Sequence, residues 1–281
     1  MIKDLVVPIT DTAGDANAVA AATVLARQVN AHMAVLEFVN LPMPPAGPWG
    51  SGELGLGDLY TKFRDEAEKD ALVWRERLSR EAISLSSEVR VIESLFTESS
   101  DLAALHARYA DLAVMTMATD VVRDSAIIRN FFTSLLLKSG RPVLLVPPSH
   151  AWRRVKHVVV AWQPKREAAR ALHDALPFLL AAESVDVLEV GEVFGEDGDG
   201  QQPGADIATH LARHGLKVRV IVHPRTGESV ALQLTRHAQD TGAELIVAGG
   251  YGHSRLREWV LGGVTRELSD GSCSVPILFS H

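Results

Sequence analysis

DLVVPIT at residues 4–10 and HVVVAWQ at residues 157–163 are the two stretches on which the fold turns. Each is an apolar run with no polar alternation, closed by a polar residue. Such a run suits a strand covered on both faces, which is the habit of parallel sheets with crossover helices. The likeness between the two extends along the chain. ARYADLAVMT at 107–116 answers to AQDTGAELIVAGG at 238–250, and RPVLLVP at 141–147 answers to SVPILFS at 274–280. Matched positions lie 153 apart at the first pair, 133 at the second and 134 at the third, so the first copy is longer by 20 residues in its middle. A repeat on this scale indicates a duplicated supersecondary plan.

Within each copy, short apolar runs alternate with stretches patterned at the helical period, as in Leu59, Phe63, Ala67 and Ala71, or Leu102, Leu105 and Tyr109. The expected strands are 5–9, 33–39, 89–94, 112–116 and 143–146, then 158–162, 185–190, 217–223, 245–248 and 277–279. Ser100 and Ser229 stand before helical patterns and read as N-caps. The class is α/β, two doubly wound five-stranded parallel-sheet domains. They divide as 1–150 and 151–281, with PPSHAWRRVK at 147–156 breaking the apolar pattern. The extra length of the first copy falls mostly in LPMPPAGPWGSGELGLGD at 41–58, which reads as a long loop, either a lid or a surface excursion. GEVFGEDGDGQQPGAD at 191–206 is the matching loop of the second copy.

Charge narrows the functions. The 281 residues carry 28 Lys+Arg against 35 Asp+Glu, a net −7. Neither copy has the basic field that nucleic acid or an anionic bilayer requires. The one cysteine, Cys273, suits a reducing compartment. No signal peptide is visible, and the longest apolar run near the start, 18–26, is far short of the ~20 residues of a membrane span. The expectation is a cytoplasmic protein with no nucleic-acid or membrane partner.

AGGYGHSRLREWVLGGVTREL at 248–268 sets five glycines around a basic stretch, immediately after an expected strand. Strand ends at a switch in strand order are where open α/β sheets receive ligands. Glycine allows close backbone approach, and the helix opening at Gly262–Gly263 presents unpaired amides. His253 and Arg255 are auxiliary basic groups beside them, and Thr265 could add a hydroxyl. The first copy has no such segment. No glycine lies between Gly57 and Gly140, and TMATDVVRDSAIIRNFFTSLL at 116–136 fills the place with bulk. Phe131 and Phe132 are expected to pack where a ligand would sit.

The spacing Gly249-x2-Gly252-x9-Gly262, inside a duplicated α/β plan, resembles the universal stress proteins in a tandem form. The resemblance spans essentially the whole chain, including VVVAWQPKREAARAL, ARYADLAVM and GAELIVAGGYGHSRLRE. It implies a non-enzymatic protein of the stress response that binds ATP, with magnesium, at one site per chain. Gly249, Gly252, Gly262, Gly263, Val264 and Thr265 would meet the phosphates. Ala161, Trp162, Gln163, Val190 and Ala248 would border adenine and ribose. The family's usual Asp after strand one is here Gln163, which offers both a donor and an acceptor. Its Ser or Thr after the third glycine is here Gly263. The resemblance further implies pseudo-two-fold pairing of the copies through their last strands, and association of such chains into a dimer. A structural stress protein acting through its surface is the other reading.

Weaker motifs lead nowhere specific. HLARH at 210–214 sets two imidazoles at zinc-ligand spacing without a third ligand, so a solvated helix face is expected. GEDGDG at 195–200 lacks the full calcium-loop pattern. No phosphate-loop motif, nucleophile elbow or catalytic triad emerges.

Overall fold

The computed structural model of the chain describes residues 1–40, 56–94, 97–119, 121–191, 204–224, 226–251 and 263–281. The first half runs β1 (Asp4–Pro8), α1 (Asp15–Val29), β2 (His32–Asn40), α2 (Leu56–Glu81), β3 (Ser87–Ser94), α3 (Ser99–Ala107), β4 (Leu112–Thr116), α4 (Val122–Lys138) and β5 (Val143–Val146). The second half runs β6 (His157–Trp162), α5 (Arg166–Asp174), α6 (Leu176–Ala181), β7 (Ser184–Val190), α7 (Ala205–Arg213), β8 (Val218–His223), α8 (Val230–Thr241), β9 (Leu245–Gly249), α9 (Gly263–Ser269) and β10 (Ile277–Ser280). All ten expected strands are present, with ends displaced by two residues at most.

The strands form one sheet in the order β3-β2-β1-β4-β5-β10-β9-β6-β7-β8. Pairing is parallel inside each half and antiparallel only where β5 meets β10, with Leu144 opposite Leu278. The same shift of 134 that relates the two sequences carries Val143 onto Ile277, so this junction is the pseudo-two-fold axis. Alone, β5 and β10 would each be an apolar open edge. Together they are sealed: Val143–Val146 and residues 277–279 are each 1% exposed or less.

Side-chain alternation along the strands divides the core into two layers. Leu5 and Val7 face one layer, with α1, α2, α5, α6 and α7. Val6 faces the other, with α3, α4, α8 and α9. Both layers run unbroken across the two halves. The 147–156 connection is tied down rather than loose. Trp152 is buried with its ring against Phe178, and its indole N–H donates to Gln28 Oε1 at 3.2 Å.

Helix ends follow local chemistry with one exception. The Ser229 hydroxyl accepts from the Leu232 N–H, and Gly242 closes α8 in the left-handed conformation. Ser100 is not a cap. Glu98 holds that position, α3 begins at Ser99, and Ser100 is buried with its hydroxyl accepting from Ser134 on α4. A tertiary partner has claimed the hydroxyl that the sequence offers to the helix end. The expected loops are also shorter than read, since 56–58 belong to α2 and 205–206 to α7. No described helix is long and apolar enough to cross a membrane.

The halves also interlock at Gly271, where φ is +92° and a Cβ would stand 2.2 Å from the Ala118 carbonyl oxygen of the other half. Gly271→Ala combines a left-handed penalty with a backbone clash, and should cost about 2–4 kcal/mol in urea unfolding. An unchanged midpoint would show that this contact yields freely.

Candidate functional site

A pocket of about 250 Å³ opens at the carboxyl ends of β6, β7 and β9. Its floor is apolar, with Ala161 on β6, Leu188 and Val190 on β7, Ala248 on β9, and Val230 and Leu234 rising from α8. Its rim is polar, with Gln163, Lys165, Glu167 and Thr265. An apolar slot with a few placed polar groups is the usual form of a small-molecule site.

Nine residues singled out in the sequence line this pocket: Ala161, Trp162, Gln163, Val190, Ala248, Gly249, Gly263, Val264 and Thr265. Gly252, His253, Arg255, Gly262 and Trp259 lie outside the described residues. Leu188, Lys165, Glu167, Ala168, Val230 and Leu234 were not singled out. Leu188 was within reach, because alternation puts it on the same face as Val190. Val230 and Leu234 were not, since nothing local says which helix covers that face.

Two glycines here differ in what they do. A Cβ on Gly249 would lie 2.6 Å from the Glu167 carbonyl carbon. Glycine is therefore required at this point by the backbone of α5. The first half solves the same contact in reverse, with Gly14 on the helix and Thr116 on the strand. Among the described residues nothing lies within 4 Å of where a Gly263 Cβ would go, so none of them requires a glycine there.

Lys165, the N-cap residue of α5, lines the pocket and makes no ion pair among the described residues. Glu167 is buried, and its carboxylate accepts from Arg166 Nε at 2.6 Å. Burial pushes its carboxyl up, but the hydrogen bonds from Arg166 and from its own backbone N–H leave it below the usual range. Thr265 is buried, and its Oγ1 accepts from the Tyr251 N–H at 3.3 Å.

The pocket wall is anchored from below by a charge cluster. Asp186, on β7 and fully buried, accepts from Arg219 at 2.8 and 3.0 Å and contacts His237 of α8 at 3.1 Å. His157 of β6 stands 3.0 Å from the same oxygen. Burial raises the Asp186 carboxyl, and Arg219, His237 and His157 more than reverse it. The cluster ties α8, which carries Val230 and Leu234, to the strand carrying Leu188 and Val190. By strand register the first half has Ala34 in place of Asp186.

In the first half the equivalent space is filled. Phe38 stands where β7 has Val190, and its ring meets Phe131 with centroids 5.6 Å apart. The shift of 134 places Phe131 opposite Thr265. Phe132 does not join this plug. It turns to the seam and packs on Phe279 at 5.2 Å, because adjacent helical positions point about 100° apart. Where the second half has Ala168, the first has Asp15, buried and accepting from Thr10 N, Thr10 Oγ1 and Thr12 N. Burial outweighs those bonds and raises its carboxyl to about 6. Nearby Glu37 is 3% exposed with one oxygen lacking a hydrogen-bond partner. Burial, and then the carboxylates of Asp11, Asp70 and Asp15, raise it to about 8.

His210 and His214 meet edge-on on the exposed face of α7, with ring centroids 4.9 Å apart and planes at 70°. Among the described residues no group of three or more side chains converges to hold a metal. Cys273 is buried, and burial pushes its thiol up.

The chain has the fold of a universal stress protein from Archaeoglobus fulgidus DSM 4304, at a TM-score of 0.66 and 17% identity, covering 99% of this chain and 95% of that one. A protein of unknown function from Pseudomonas aeruginosa PAO1 shares it at a TM-score of 0.59 and 14% identity, covering 99% of this chain and 92% of that one. No family model and no curated protein matches the sequence.

Asp186→Asn weakens the charged hydrogen bonds from Arg219 and His237, and because Arg219 is largely exposed and can turn to solvent, the cost should be about 1.5 kcal/mol at pH 7 in urea unfolding. The wild-type contribution is present above the ordinary Asp value of 3.8 and is lost as pH falls through the lower folded value. Asp186→Asn should therefore be less sensitive to acid in that window. Glu37 has the opposite sign, because its folded value lies above its unfolded one. The stability it gives below its ordinary value of 4.5 drains away as pH rises to about 8. Glu37→Gln should flatten that decline, and melting curves from pH 4 to 9 would reveal a slope left unaltered.

Proposed function

We propose that the chain is a tandem universal stress protein whose second half binds an adenine nucleotide. ATP, with its magnesium, is the ligand expected, one per chain, acting as a regulatory ligand rather than a substrate. The single observation carrying this reading is the pocket. It gathers residues from β6, β7, β9, α5, α8 and α9 into an apolar slot of base size with a polar rim. The flat walls of Ala161, Leu188, Val190 and Leu234 suit a purine, Gln163 can pair with a base edge through both its amide groups, and Lys165 and Thr265 suit ribose and phosphate. The magnesium would travel with the phosphates and lower their charge in an acidic molecule. Residues 1–150 and 151–281 act as two domains, the first a degenerate partner closed by Phe38, Phe131 and Asp15. Such chains pair into a homodimer in the cytoplasm, and occupancy of the one live site alters what the molecule contacts.

The first half suggests the test. Val190→Phe with Thr265→Phe would transplant its plug into the second half. The wild type should gain thermal stability with Mg·ATP, and the double variant should melt cooperatively but gain none. Equal stabilisation of both would place the nucleotide elsewhere. Gly263→Ser adds a Cβ that meets none of the described residues within 4 Å, and should tighten ATP binding about fivefold in calorimetry if its hydroxyl gains one hydrogen bond of ordinary strength. Mass spectrometry of gently purified protein should find one adenine nucleotide per chain.

A further inference from the structure

Tyr251 occupies a position that cannot be explained by the second half alone. It lies beyond the end of β9, after Gly250, and holds φ +59°, a left-handed conformation that bulky residues adopt only when their surroundings enforce it. Three contacts do so. Its phenol oxygen lies 3.0 Å from Thr133 Oγ1 on α4 of the other half. Its ring stands edge-on to His281, with centroids 6.1 Å apart, and His281 Nδ1 donates to the Gly250 carbonyl oxygen at 3.1 Å. Beneath it Gly250 lies against Leu136, also on α4, closely enough that a Cβ would approach Leu136 Cδ2 to 2.6 Å. The backbone N–H of the same Tyr251 donates to Thr265 Oγ1 in the pocket.

These contacts form a chain of two hydrogen bonds from Thr133 to the pocket. The one reaching Thr265 matters chemically. A hydroxyl that accepts a backbone N–H has its own proton left to give. Thr265 is buried, so the natural recipient is an acceptor atom of whatever occupies the pocket. Tyr251 thus orients Thr265 as a donor, and Thr133 holds Tyr251 where it can do so. Burial pushes the Tyr251 phenol up, against the Thr133 hydrogen bond, so the hydroxyl stays protonated at neutral pH. The first half has nothing comparable, because the position answering to Tyr251 is Ala118.

We propose that Thr133 and Tyr251 are positioning residues for the ligand site, so that the half whose equivalent space is filled completes the pocket of the other. This rests on the nucleotide reading given above. It explains why the degenerate half keeps a polar residue, Thr133, on a helix face otherwise committed to apolar packing at Phe132, Leu135 and Leu136. The ligand class follows from the geometry: a molecule with a hydrogen-bond acceptor, a ribose or phosphate oxygen, at the Thr265 end of the slot.

The experiment is a double-mutant cycle on Mg·ATP affinity, measured by calorimetry on the full chain. Tyr251→Phe and Thr133→Val each remove one hydroxyl and keep the shape. Each should weaken binding by about three- to tenfold, the loss expected for one misplaced hydrogen bond. The double variant should be no weaker than either single one, since both break the same link. Thr133→Ser should restore wild-type affinity, which a purely steric role would not predict. Two independent losses, or affinities equal to wild type, would overturn the proposal while leaving the nucleotide reading intact. A wild-type chain that binds no adenine nucleotide would overturn the nucleotide reading and this inference with it.

Discussion

Everything in this molecule is referred to one antiparallel pairing, β5 against β10. Two five-stranded sheets that each ended in an apolar edge would associate with whatever edge they met. Here the partner is built into the same chain, so the effective concentration is high and the register is unique. With Leu144 opposite Leu278 the two core layers run without interruption through ten strands, and neither half retains a surface of its own at the centre. The connection carrying Trp152 is fastened across α1 and α6, which leaves little freedom for the halves to part.

A seam of this kind releases the two halves from identical duties. What must be kept on both sides is the frame: ten strands, the crossover helices, and one glycine wherever the first helix presses on the fourth strand, at Gly14 in one half and Gly249 in the other. What differs is the space at the strand ends. In the first half an aromatic pair and a buried carboxylate occupy it. In the second, Val190, Thr265 and Ala168 leave it open, and the Asp186 cluster holds the covering helix in place. A phenylalanine adds stability where it fills space, so the first half gains packing at its strand ends. The open half, conversely, surrounds a volume that contributes no packing of its own.

The link through Tyr251 gives that asymmetry a mechanical sense. α4 of the closed half touches the rim of the open one, Leu136 lying against Gly250 and Thr133 against the Tyr251 hydroxyl. The contact that crosses the seam is therefore a packed one, at the edge of the pocket rather than at its floor.

The sequence by itself determined the strands, their parallel character and the duplication, because apolar runs of three to seven residues at matched spacing admit few other arrangements. Ala161 to Gln163, Val190 and Ala248 were named by the resemblance to the universal stress proteins, not by the apolar pattern, and they line the pocket. Tertiary structure alone decided three things. It brought Val230 and Leu234 into the wall, because helix identity at a sheet face depends on winding and not on local pattern. It assigned Gly249 to the backbone of α5, which no glycine count could foresee, since close approach to a ligand and to a helix require the same residue. It also sent Phe131 and Phe132, neighbours in sequence, to a plug and to the seam respectively, because direction on a helix has meaning only once both of its surroundings are in place.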